Sequence, residues 1–187
     1  MKKRVKLHGT LIFLSVVLVV IFPKAFLQLN YSLANIFTDI LGIVFLNLGF
    51  LLRISARGIK SELSQKGDAL VKEGLYSQTR NPMYLGISLI ALGIVLLVFQ
   101  CWVLILFALF FAAMYLRLIF KEEKLLWERF GAQYGQYQKK TPRFFPRTAG
   151  LIKNFPLKKE WFYKELSSII PLAAAILFYK IWQMVKI

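Results

Sequence analysis

Two short stretches of the 187-residue chain concentrate side chains that can do chemistry. The first is Gly74-Leu75-Tyr76-Ser77-Gln78-Thr79-Arg80-Asn81-Pro82-Met83-Tyr84. Gly74 permits a turn, and Asn81-Pro82 predicts a helix start with proline at the first helical position. The free N–H groups of such a start, with Arg80 beside them, suit a carboxylate or a phosphate. Tyr76 and Tyr84 offer flat faces to a ring. The same ingredients also make a plain juxtamembrane turn with interfacial tyrosines, and residue types alone leave both readings open.

The second stretch begins Glu122-Glu123 and ends Thr141-Pro142-Arg143-Phe144-Phe145-Pro146. Leu118, Glu122, Leu125 and Leu126 recur at helical spacing, which predicts a helix through this region. Adjacent carboxylates at a membrane edge are costly unless solvated or paired. Arg117 and Lys121 stand nearby as candidate partners. Either this is a charge-interleaved surface helix, or a carboxylate here grips hydroxyls or a cationic ligand. A third candidate is Asp39, an acid inside an apolar run; its rival reading is a side chain that reaches the interface or pairs with a hydroxyl such as Ser32. One cysteine, Cys101, and one histidine, His8, exclude a disulfide framework and leave no metal site expected. Cys101 reads as a small apolar residue in a turn and His8 as an interfacial side chain. No Ser/His/Asp set, Walker loop or dinucleotide-binding glycine pattern is present.

The elements that must position these stretches follow from composition. The chain is 58% hydrophobic with mean hydropathy +0.58 and only 18% charged, yet its net charge is +16. Soluble domains are less apolar and more charged. Aromatics at 16% are too abundant for disorder, and a nucleic-acid binder has no need of so apolar a chain. An all-α integral membrane protein accounts for both the apolar excess and the charge.

Five apolar stretches predict about five transmembrane helices. They are Leu11–Leu29, Ser32–Leu52, a hairpin of Met83–Phe99 and Val103–Phe120 turning at Gln100-Cys101-Trp102, and Leu166–Val185. The basic start before Leu11 reads as a signal anchor, because the apolar run is too long for a signal peptide. If the helices alternate, 22 of the 25 basic residues share one face. That face is cytoplasmic by the positive-inside rule, with the N-terminus on it and the C-terminus opposite. Lys180, near the far end of the last helix, is expected to snorkel to the interface. The chain reads as one membrane domain. Both polar stretches lie at the cytoplasmic ends of the hairpin and are expected to meet.

Gly-x-Tyr, Arg-Asn-Pro-x-Tyr-x-Gly, the apolar hairpin, Glu-Glu-x-x-Leu, Phe-Gly-x-x-Tyr-x-x-Tyr and Pro-Arg-Phe-x-Pro occur here in that order. Together they resemble the isoprenylcysteine carboxyl methyltransferase family, which is related to the membrane phospholipid methyltransferases. The motif region spans residues 68–146. The resemblance implies an S-adenosyl-L-methionine cofactor in a cytoplasm-facing pocket and a lipophilic small-molecule or lipidated substrate arriving from the bilayer. Carried over by position, it implies cofactor contacts from Leu70, Val71, Tyr76, Asn81, Pro82, Met83, Tyr84 and Glu122. Arg80, beside the helix start, joins them as a partner for the methionine carboxylate.

Three departures stand out. The family usually has histidine where Asn81 stands, and asparagine cannot act as a titrating base. Leu118 replaces a substrate-side arginine, so Arg117 or Lys121 is the candidate substitute. Arg117 is rotated from position 118 by about 100° on a helix. Residues 153–187 add a basic linker and a further transmembrane helix. A carboxylate nucleophile needs no general base, which favours carboxyl methylation. An amine or thiol would need one, and Glu122, Glu123 or a tyrosine are the candidates. Arg117 and Glu123 are thus the catalytic candidates. The competing functions are an NADPH-dependent sterol-type reductase, a phospholipid N-methyltransferase, and a non-enzymatic membrane component whose basic loops bind anionic membrane lipids.

Overall fold

The computed structural model describes residues 17–29, 33–64, 67–144 and 156–185. Five helices carry the fold: α1 (Leu33–Leu63), α2 (Leu75–Gln78), α3 (Pro82–Val98), α4 (Val103–Lys140) and α5 (Lys159–Val185). The described residues contain no strand, only an isolated bridge between Leu27 and Phe99. Helices α1, α4 and α5 are long and apolar enough to cross a membrane, and α3 is a shorter apolar helix. The protein is therefore an all-α, multi-pass membrane protein.

The 31 residues of α1 reach roughly 46 Å, well past a hydrocarbon core of about 30 Å. Its apolar first part faces lipid and helices, and its last turns carry Arg53, Arg57, Lys60 and Glu62 beyond them. Helix α3 opens on Pro82 behind an Asn81 N-cap and closes at Phe99 in extended backbone. The chain reverses through Gln100, Cys101 and Trp102, and the hairpin forms where the apolar run predicts it. Two ends of the bundle can be named: a turn end at Cys101 and a motif end at Arg80 and Glu123.

Helices α1 and α3 meet backbone to backbone. A Cβ placed on Gly49 would lie 2.6 Å from the amide nitrogen of Ile90, and one on Gly86 2.8 Å from that of Arg53. One heptad further along, Gly93 stands in the same relation to the Gly42 carbonyl, at 2.7 Å. Lipid tails are as apolar as leucine, so close packing of small residues, not hydrophobic transfer, holds such helices together. The contact between α3 and α4 is aromatic instead. Tyr84 meets Tyr115 edge-on at 5.5 Å, and Tyr115 stacks on Phe111 at 3.9 Å. The outward side of α4 presents Ile105, Leu109 and Phe110.

With 17 residues, α3 spans only about 26 Å, so its last carbonyls sit where water is scarce. Gln28 satisfies them. Its backbone N–H donates to the Val98 carbonyl at 3.0 Å, and its side-chain amide donates to Leu96 and Phe99. Tyr179 and Gln183 of α5 in turn donate to the Gln28 carbonyl. This changes the expectation for the first span. Of Leu11–Leu29, residues 17–29 are described, and helix there stops at Ile21. Pro23 starts a separate turn, Pro23–Phe26, and the chain then runs to the bridge with Phe99. Proline lacks the N–H that would continue the first helix. The remainder of that span, the N-terminal basic residues, His8, Ser32, residues 145–146 and residues 153–155 lie outside the described residues.

Helix α5 starts at Lys159, seven residues before the expected span, and is fastened to α1 at both ends. At the turn end Lys180 pairs with Asp39 at 2.6 Å, both mostly buried. This corrects two expectations. Lys180 pairs within the bundle where snorkelling was expected, and Asp39 takes an ammonium partner. At the motif end Glu165, almost fully buried, takes Arg57 and, at 3.5 Å, Arg53. Trp161 covers Gly58 so closely that a Cβ there would fall 2.0 Å from its ring, and its indole donates to Glu62 at 3.0 Å.

Candidate active site

The two polar stretches meet at the motif end, as their places beside the hairpin require. Gly74, at φ +56, turns the chain into α2, which buries Leu75 and Tyr76 against α1. Burial pushes the Tyr76 hydroxyl well above the usual tyrosine range, and Glu122 adds to the shift. The hydroxyl lies 3.4 Å from the Ala56 carbonyl, toward which it donates. Helix α4 continues past the membrane and breaks at Gly131, whose φ of +46 and ψ of −123 suit glycine alone. The chain then folds back, Gly135 lies against Trp127, and Tyr134 and Tyr137 turn inward. The Phe-Gly-x-x-Tyr-x-x-Tyr spacing is this reversal: glycine makes the bend and each tyrosine fills the inside of it.

Residues 141–143 then form a strap over the start of α3. The Arg80 N–H donates to the Pro142 carbonyl at 2.9 Å. The Thr79 hydroxyl and the Asn81 side-chain amide both donate to the Arg143 carbonyl at 3.1 Å. The Arg143 guanidinium makes a two-pronged contact with Glu123, at 3.1 and 2.8 Å, and lies over the Phe120 ring at 4.7 Å. That carboxylate raises the Arg143 pKa further. Glu123 also pairs with Arg80 at 3.2 Å, with side-chain exposures of 8% and 9%. One buried carboxylate thus organises two guanidinium groups.

Two adjoining lobes, each of about 210 Å³, open beside this network. They share Lys60, Tyr76, Arg80, Asn81 and Glu122. The loop-side lobe adds Leu70, Val71, Leu126, Arg129, Tyr134 and Tyr137. The membrane-side lobe adds Pro82, Met83, Tyr84 and Ile87 from the first turns of α3. All nine residues singled out for cofactor contact, from Leu70 to Glu122, line one lobe or both. The two catalytic candidates are placed elsewhere. Arg117 is exposed on α4 and lines neither lobe, and Glu123 lies behind the wall, spent on Arg80 and Arg143.

Several wall residues escaped the sequence reading. Lys60 bonds to Glu122 at 3.2 Å and stands in both lobes. It reads in sequence as one more topological charge, although Lys60 and Ser64 share a helix face at a spacing of four. Arg129 lines the loop-side lobe from the helix just before Gly131, and Tyr134 and Tyr137, quoted only as motif residues, reach it through the reversal. The wall also holds a buried donor, Arg80 Nε, without a hydrogen-bond partner among the described residues, while Arg80 Nη1 faces Glu123 and the Tyr134 hydroxyl lies against Arg80. Such a group is expensive to leave bare, and here it borders a cavity.

The family model described as phospholipid methyltransferase matches residues 37–133, from within α1 to just past the reversal. Protein-S-isoprenylcysteine O-methyltransferase of Schizosaccharomyces pombe is 33% identical over 133 residues, covering 67% of this chain and 55% of that protein. The cobalt-zinc-cadmium resistance protein CzcN of Cupriavidus metallidurans is 36% identical over 83 residues, covering 44% of this chain and 38% of that protein. This chain thus spans about half the length of the first of these curated relatives and less of the second. No solved structure matches. With its motifs in order and more than half of its length matched, the chain belongs to the phospholipid methyltransferase family.

Proposed function

We propose that the protein is an S-adenosyl-L-methionine-dependent methyltransferase acting on a lipophilic or lipidated acceptor, with carboxyl methylation favoured. The observation that carries this reading is the pair of lobes sharing one polar wall of Lys60, Arg80, Asn81 and Glu122: one lobe completed by the loop and reversal, the other by the first turns of α3. The buried, unpartnered Arg80 Nε fits a carboxylate-bearing cofactor. In this reading Arg80 would hold its carboxylate, Leu70, Val71 and Leu126 would pack its ring, and Glu122 would accept from its hydroxyl or ammonium groups. When bound, the cofactor supplies an activated sulfonium methyl.

The chain's own work is then to orient and to exclude water. Met83, Tyr84 and Ile87 offer the acceptor an apolar approach from the bilayer side. Proton removal is poorly served here. Asn81 does not titrate and is bonded to the strap, and Tyr76 is held protonated by burial. Glu122 is engaged by Lys60. An acceptor that is already an anion suits such a site, which favours a carboxylate over the amine of a phospholipid headgroup. The family match favours methyl transfer over the reductase reading. The motif end, with its cluster of basic residues, faces the cytoplasm in this proposal, and the C-terminus lies opposite.

The test is calorimetric titration of the purified protein with S-adenosylmethionine, followed by transfer of labelled methyl into membrane lipids and lipidated proteins. Binding with label in an acid-labile ester supports carboxyl methylation. Label in a headgroup amine shifts the reading to phospholipid N-methylation, and absence of binding by folded protein overturns it.

A further inference from the structure

We propose that Lys60 is the anion-binding residue for the acceptor, and that it is released to this role when the methyl donor occupies Glu122. The inference rests on the methyltransferase reading above and adds a residue and an order of events to it.

The membrane-side lobe has two cationic side chains in its wall, Lys60 and Arg80. Arg80 is nine-tenths buried and paired with Glu123, with its backbone held by the strap. Arg117 and Lys121, the basic residues that sequence spacing offered, are exposed and line neither lobe, while position 118 is an exposed leucine. Lys60 is the remaining cation. Its side chain is 44% exposed and its partner Glu122 35% exposed. Such a pair contributes little to stability and is easily exchanged. A lysine carries three donors on a flexible four-carbon stem, so it can turn from one acceptor to another without moving the helix.

Both members of the pair stand in both lobes. A ligand in the loop-side lobe that donates to Glu122 displaces Lys60. A ligand in the membrane-side lobe that presents an anion to Lys60 displaces Glu122. Whichever binds first breaks the 3.2 Å contact, and the second does not have to. Donor and acceptor therefore help each other bind, by the same factor in either order. Lys60 distinguishes an anionic acceptor from a neutral one, and the anion can be a carboxylate or the phosphate of a lipid headgroup.

The experiment titrates the reconstituted full chain with S-farnesylcysteine free acid, its neutral carboxamide, and phosphatidylethanolamine in mixed micelles, each with and without saturating S-adenosylhomocysteine. The free acid is expected to bind about fivefold or more tightly when S-adenosylhomocysteine is present, within the usual range of coupling between sites, and the carboxamide equally with or without it. Lys60→Gln should lose both the acid affinity and the coupling while still binding S-adenosylhomocysteine, and Lys60→Arg should recover part of each. Glu122→Gln should bind the acid without cofactor as tightly as the wild type does with it. Lys124→Gln, an exposed charge outside both lobes, should change nothing. If the Lys60→Gln loss falls on phosphatidylethanolamine instead of the acid, the anion is the headgroup phosphate and the role of Lys60 stands. Unchanged affinity for both anions in Lys60→Gln protein that still binds S-adenosylhomocysteine overturns the proposal. Failure of the wild type to bind S-adenosylhomocysteine overturns the methyltransferase reading itself.

Discussion

Tyr137 donates its hydroxyl to the backbone carbonyl of Tyr76 over 2.6 Å, tying the returning end of α4 to the helical turn beneath the loop-side lobe. Tyr137→Phe keeps the ring and leaves that buried carbonyl bare. The expected loss is about 1–3 kcal/mol of stability, read as a lower midpoint of thermal unfolding in detergent. An unchanged midpoint would show that the carbonyl finds another donor.

The adjacent acids should behave differently. Glu123→Gln leaves the buried Arg80 and the partly exposed Arg143 without their counter-charge. Breaking such a pair from one side costs about 3–5 kcal/mol. Glu122→Gln removes a partly exposed partner of Lys60 and keeps an acceptor for Tyr84, so stability should change by less than about 1 kcal/mol. Cofactor affinity should fall instead. Unfolding midpoints and titration of the same two variants give both quantities, and equal stability losses would contradict the division of labour.

The glycine seam makes a steric prediction. Gly49→Ala and Gly86→Ala each push a methyl against backbone atoms under 3 Å away, which cannot move without separating α1 from α3. Each should cost about 1–3 kcal/mol or more. Gly131→Ala has open space around its new methyl, and any cost there comes from φ alone. If all three are neutral, the seam is looser than its geometry states.

Asp39 and Lys180 form a mostly buried pair at the turn end. Asp39→Asn or Lys180→Met alone leaves one charge uncompensated and should destabilise by about 3 kcal/mol or more, while the double variant should recover much of the loss. A double-mutant cycle of unfolding midpoints measures the coupling. Additive losses would mean that the two groups do not interact.

Tyr76 supplies a pH dependence. Burial raises its folded pKa above the unfolded value of about 10. Its contribution is therefore complete below about pH 10 and is lost as pH rises past that value, because only the unfolded chain then releases the proton. Between pH 6 and 9 the stability difference between wild type and Tyr76→Phe should be constant, and above pH 10 the wild type should lose ground to the variant. Melting curves across that range check the sign.

The hairpin, its turn and the meeting of the two polar stretches were legible because an uncharged run too long for one span has few ways to fold in a bilayer. The nine lobe-lining candidates came from ordered motifs, and the structure gathers them around one space. What spacing could not show was direction. Glu122 and Glu123 are neighbours in sequence, yet about 100° of helical rotation sends one into the lobes and the other behind their wall. Arg117 fails to reach the lobes for the same reason. Lys180 and Asp39 lie 141 residues apart, and no local pattern links them. The break after Ile21 had a visible cause in Pro23, but only the bridge to Phe99 explains why the chain turns there.

The strap sets a timetable for biosynthesis. The last residue lining either lobe is Tyr137, yet Arg80 and Asn81 are held by the carbonyls of Pro142 and Arg143. A nascent chain that has been made as far as Tyr137 therefore owns every wall of the site before it owns the latch. The site acquires its final shape only when the ribosome has passed the strap, so the latched site cannot precede synthesis of Arg143.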